Sequence, residues 1–147
     1  MSWEDYLNNG LINRENIYGH VYENVLNEAG IFNLSGNVIV KTRGLNISNT
    51  EMDELIKLFE CDPIMNSKMF VNLGGKKLQI VIYDGDFALL VSGGAGATVA
   101  KTNKTFIIGT FCNSKTYIKD GKEFYQNDVE CKLTVEEFAK SLKSIDW

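Results

Sequence analysis

The sequence is poor in the residues that catalytic, metal-binding and membrane proteins depend on. Among its 147 residues there is one proline and one histidine. That histidine, His20, has no cysteine or second histidine at ligand spacing, so it reads as a surface residue and no zinc cluster is expected. The three cysteines, Cys61, Cys112 and Cys131, are odd in number and far apart, with no CxxC pair. They read as reduced thiols of an intracellular protein. No apolar run approaches the length of a membrane span. Met1-Ser2-Trp3-Glu4-Asp5 has neither a basic segment nor an apolar core, so no secretory signal is expected, and the cytoplasm is the expected compartment. Basic charge is scarce too: 15 Lys and Arg against 19 Asp and Glu give a net charge of -4. A strong nucleic-acid footprint is thereby excluded. The glycine run Gly93-Gly94-Ala95-Gly96 lacks the lysine and the following helix of a phosphate loop and reads as a turn between strands. The carboxylate pairs Asp84/Asp86 and Glu136/Glu137 fit a turn and a helix first turn. An enzyme is not expected, and neither is a metal or a cofactor.

What is present is enough apolar residue for one packed core. Hydrophobic residues make up 44% of the chain, which at this length predicts a single domain over residues 1–147. Ser2 and Asp5 have helix-start chemistry, Trp3, Tyr6 and Leu7 share a helix face, and Gly10 is the expected stop. A second helix is expected over 16–28, with Ile17, Val21 and Leu26 partly in phase. Strands are expected at Ala29–Phe32 and Asn37–Val40, around a turn at Leu34–Asn37. Ser48 and Glu51 form a capping box, and Met52, Leu55, Ile56 and Phe59 continue its apolar face until Cys61-Asp62-Pro63. From Lys68 to Gly109 the pattern becomes that of strands joined by tight turns, which must be antiparallel neighbours. Residues 113–128 read as an extended loop or an exposed hairpin. A last helix is expected from a Thr134/Glu137 capping box with a Leu133/Phe138 staple, burying Val135, Phe138, Ala139, Leu142 and Ile145. The fold class is α+β: a central antiparallel sheet with helices on its faces.

This order of motifs resembles the profilin family. The resemblance is carried by Ser2-Trp3-x-x-Tyr6-Leu7, by Ala29-Gly30-Ile31-Phe32 running into Gly36-Asn37-Val38, and by the Ser48-x-x-Glu51 helix. It continues in Leu73-Gly74-Gly75-Lys76-Lys77, in Gly93-Gly94 leading to Lys101-Thr102-Asn103-Lys104-Thr105, and in a last helix ending on an aromatic. Two stretches depart from it: about ten extra residues before Ala29, and a longer segment between Phe111 and Leu133, comparable to ordinary loop insertions. The resemblance implies first and last helices packed together on one sheet face and a further helix on the other. It also implies binding of monomeric actin, regulation of filament assembly, and a groove for proline-rich partners between those two helices. Trp3, Tyr6 and Trp147 match the groove's aromatic positions. Ile39 stands where a strand tryptophan is usual and Ser141 where a helix histidine is frequent, so a weakened groove is expected. The implied actin contacts are Lys77, Ile80, Leu90, Thr98, Lys132 and Glu137, with Ile82 and Leu90 apolar where basic residues are common. A shift of one residue in the strand alignment would turn those side chains to the other face. Lys68, Lys76 and Lys77 are the candidates for phosphoinositide lipids. A monomer is expected. The alternative is a profilin-like scaffold or small-ligand sensor domain without an actin partner.

Overall fold

The first helix is set by a reciprocal pair: the Ser2 hydroxyl accepts the Asp5 amide and the Asp5 carboxylate accepts the Ser2 amide. This box starts α1 (Trp3–Tyr6) in the computed structural model, which describes residues 2–147. The expected stop at Gly10 does not occur, because the chain runs on as a π-helical segment, Leu7–Ile12. Gly10 has a different use. A Cβ there would lie 2.8 Å from Cε1 of Phe138, so the missing side chain lets that ring rest on the helix backbone.

No helix forms over 16–28. The side chain of Asn16 accepts the amides of Tyr18 and His20, local turn bonds that compete with a helical ladder. The segment instead contributes two very short strands, β1 (Arg14–Glu15) and β2 (Val21–Glu23). Next come β3 (Ala29–Asn33) and β4 (Val38–Lys41), then α2 (Asn49–Glu60), which carries the expected Ser48/Glu51 box. Glu51 does more than cap. Its carboxylate also accepts the amides of Gly74 and Gly75, fastening the turn between β5 (Phe70–Leu73) and β6 (Lys76–Tyr83) to the helix start. The chain continues through β7 (Phe87–Ser92), β8 (Ala95–Lys101) and β9 (Thr105–Cys112). A hairpin, β10 (Thr116–Lys119) and β11 (Lys122–Tyr125), precedes α3 (Asp128–Lys143).

Helix α3 starts earlier than expected. Asn127 is its cap, accepting the Glu130 amide, and Thr134 lies buried inside the helix. The proposed staple is absent, since Leu133 is exposed, and Ile145 lies beyond the helix end, also exposed. The extra residues at its start, about two turns, are anchored by Cys131, fully buried, with its thiol on the Gly109 carbonyl.

The large sheet has the order β4-β3-β9-β8-β7-β6-β5, every neighbour pair antiparallel. One core, with Leu11, Ile31, Leu89, Ile107, Val135 and Phe138, lies on its α1 and α3 face. The other, with Met52, Leu55, Phe59, Leu90, Val99 and Ile108, lies under α2. This is the expected α+β layering. The two stretches that depart from the family pattern meet each other: β2 pairs with β10, joining the pair β1–β2 to the hairpin β10–β11 in a second sheet of order β1-β2-β10-β11.

Candidate functional site

The aromatic residues expected for the groove come together where the first helix meets the end of the last. The ring of Trp3 is 5.7 Å from Tyr6 and meets Trp147 edge-on at 5.1 Å, while Tyr6 stands edge-on to Phe138 at 6.2 Å. Trp147 is tied down despite its terminal position. Its amide donates to the Leu142 carbonyl, its own carbonyl accepts the Lys104 amide, and the Lys104 ammonium sits 4.8 Å over the indole. Trp3, Tyr6, Ile39 and Trp147 are all half-buried and pack on the same core. Ser141 lies exposed one turn beyond Phe138, and its hydroxyl donates to the Glu137 carbonyl within its own helix. The result is a half-exposed aromatic surface, suited to binding flat apolar rings.

A second candidate surface lies on the flank of α3 that faces β7. The Lys132 ammonium is 5.0 Å over the Phe87 ring, which places that flank against the strand. Val129 and Leu133 share the flank with Lys132 by helical spacing, and both are exposed. Beyond them the sheet face on the α3 side is open. Phe70 pairs with Gln79, and Gln79 with Val91, which packs on the α3-side core. Lys77, two residues earlier on β6, shares that face and stacks its ammonium 4.4 Å over Phe70.

The register of β6 slips at Val81. Ile80 pairs with Leu90, but Ile82 pairs with Leu89, so the bulge brings Ile82 to the α3 side. There it is exposed, a member of the open face together with Phe70, Val129 and Leu133. Ile80 faces the other way, onto the α2 core. Two actin candidates are corrected by burial: Leu90 and Thr98 are both 0% exposed and cannot touch a partner. Glu137 is turned to the opposite flank of α3, where its carboxylate holds the buried Arg14 guanidinium at 2.5 Å. Of the expected set, Lys77 and Lys132 lie on the open face. Val129 and Leu133 were missed because they precede the expected helix start, although their spacing of four is a helical signal.

The lysine cluster is dispersed. Lys76 and Lys77 are successive strand residues and project to opposite faces, and Lys68 lies 3.9 Å from Glu54. His20 is on a loop, its Nδ1 2.6 Å from the Asp120 carboxylate. The three thiols are free. Burial pushes Cys131 up to about 12, whereas the Ser114 hydroxyl draws Cys112 below the usual thiol range. Among the described residues no helix is long and apolar enough to cross a membrane, and no group of three or more His, Cys, Asp or Glu is placed to hold a metal.

A search of the curated proteins finds no match. Solved structures with this fold are numerous. Acanthamoeba castellanii profilin II is 20% identical, with 99% of this chain and 100% of that chain covered and a TM-score of 0.75. LokiProfilin2, solved in complex with rabbit actin, is 16% identical, with 84% and 88% covered and a TM-score of 0.61. Mouse profilin IIa, solved with a double repeat from the FH1 domain of mDia1, is 19% identical, with 83% and 89% covered and a TM-score of 0.53. The family model for profilin matches residues 1–146, and the chain belongs to the profilin family.

Proposed function

We propose that this chain binds monomeric actin through the open face beside α3 and so regulates filament assembly, and that it takes proline-rich segments on Trp3, Tyr6 and Trp147. The observation that carries the actin reading is the open face. Phe70, Ile82, Val129 and Leu133 leave apolar surface exposed beside the basic groups of Lys77 and Lys132. An exposed apolar patch with charged neighbours is the usual form of a protein-binding surface. The complex of LokiProfilin2 with rabbit actin supports it as the precedent within the family. The proline reading draws support from the aromatic surface and from the mouse relative bound to a peptide repeat. A polyproline II segment is extended before it binds, and it loses little entropy on flat rings. Ile39 and Ser141 leave that surface with one aromatic wall and one polar contact fewer, and the grip is correspondingly weak.

Assembly of pyrene-labelled actin tests the first reading. Excess protein slows spontaneous assembly, and Leu133→Asp weakens that effect by about tenfold or more. No slowing by the unaltered chain would sink it, leaving a scaffold without an actin partner. Titration with oligoproline tests the second through tryptophan fluorescence. The emission shifts with a midpoint at about millimolar peptide or below, and Trp147→Ala removes most of the change. A spectrum that stays still shows that the chain-end aromatics are only structural.

A further inference from the structure

Below the loop that leads from β4 to α2 lies a cavity of about 260 Å³, on the sheet face opposite α3. Its walls include Leu45, Leu73, Leu78 and Ile108 of the α2-side core, and Ala97 of β8 contributes only a methyl group to its floor. Glu28 stands at its rim. The main chain of Glu28 is latched to Thr110 in both directions: its amide donates to the Thr110 hydroxyl, and its carbonyl accepts the Thr110 amide. Carboxylate oxygen Oε2 accepts the Thr42 hydroxyl. The other oxygen, Oε1, lies against the backbone of Gly44, where an added Cβ would collide with it. Among the described residues no lysine or arginine forms an ion pair with this carboxylate.

A half-buried charge is costly unless an opposite charge meets it. Here the backbone of Glu28 is fixed to Thr110, and its carboxylate takes one hydroxyl, has one oxygen to spare, and borders an apolar space. Preorganisation of that kind lowers the cost of binding. We propose that this cavity is a binding site for a small organic monoamine, with its ammonium on Glu28 and its apolar body among Leu45, Leu73, Leu78 and Ile108. Lys76, on the same rim, disfavours a second positive charge and so selects against diamines. A single carboxylate and a hydroxyl are too few ligands for a divalent cation. A space of this size accepts an apolar body of about six to ten carbons. The cavity and the open actin-facing surface lie on opposite faces of the sheet, so the two proposals stand or fall separately.

The test is an NMR titration of the isotope-labelled chain with three probes of one shape: 2-phenylethylamine, 2-phenylethanol and 3-phenylpropionate. The amine shifts the amides of Gly44, Gly74, Gly96 and Thr110, and it binds about tenfold more tightly than the alcohol or the acid. Glu28→Gln weakens the amine by about tenfold and leaves the alcohol unchanged. Equal affinities for the three probes, shifts elsewhere on the chain, or no response to any probe overturns the proposal. The comparison of probes is made on the unaltered protein, so it decides the matter even where Glu28→Gln fails to fold.

Discussion

The two flanks of α3 are built from one helix and treated in opposite ways. On the flank facing β7, Val129, Lys132 and Leu133 border an open sheet face with exposed Phe70 and Ile82. On the other, Glu137 binds Arg14, and the small sheet lays Tyr22 and Tyr117 against the core that α3 covers. The rings of Tyr22 and Tyr117 stack at 6.2 Å, and Arg14 sits 5.0 Å over Tyr22. The departures from the family pattern therefore do not extend the open face. They seal the flank behind it, leaving one side of the helix packed and the other open.

This division can be broken from the sealed side. Tyr117→Ala removes a buried ring stacked on both Tyr22 and Phe124 and costs about 3 kcal/mol, read as a lower midpoint in urea. Its inhibition of actin assembly, measured where the variant is folded, stays at the unaltered level. Loss of that inhibition would show that the sealed flank also carries partner contacts. Glu137→Ala leaves the buried Arg14 guanidinium without its carboxylate. Because Glu137 is itself partly exposed, the loss is about 2 kcal/mol, below that of a fully buried pair. Leu133→Asp, on the open side, changes stability by no more than about 0.5 kcal/mol while it acts on actin. The sealed-side variants and Leu133→Asp thus move different readouts, stability for the former and actin assembly for the latter.

The smallest effect is one of pH. The Val21 amide and the His20 ring hold the exposed Asp120 carboxyl below its ordinary range. A depressed carboxylate contributes stability that is full above its unfolded pKa, about 3.9, and is lost as pH falls through the lower folded value. Protection of the Val21 amide against hydrogen exchange, taken relative to its intrinsic rate at each pH, is expected to fall over that acid window in the unaltered chain. In Asp120→Asn the window disappears, while α2 exchanges alike in both.

How much of this was legible depended on how local the cause was. The Ser2/Asp5 and Ser48/Glu51 boxes lie within three residues, and they formed as the sequence predicts. The large sheet followed from its short turns. Strands β1 and β2 were not legible, because strands of two and three residues carry no period, and β2 exists through pairing with β10 nearly a hundred residues away. The start of α3 was misplaced for a related reason. Thr134 has cap chemistry, yet Asn127 and the buried Cys131 add about two turns before it. The bulge at Val81 leaves no mark in composition, and it alone brings Ile82 to the open face.

The sequence by itself determined the layering of helices on an antiparallel sheet and the capping of α1 and α2. Those follow from side chains acting on near neighbours and from a periodicity repeated along the chain. Only the tertiary structure decided which flank of α3 is open, that Leu90 and Thr98 are inaccessible, and that Glu137 pairs with Arg14. Accessibility is a property of everything packed around a residue, and no local pattern encodes it.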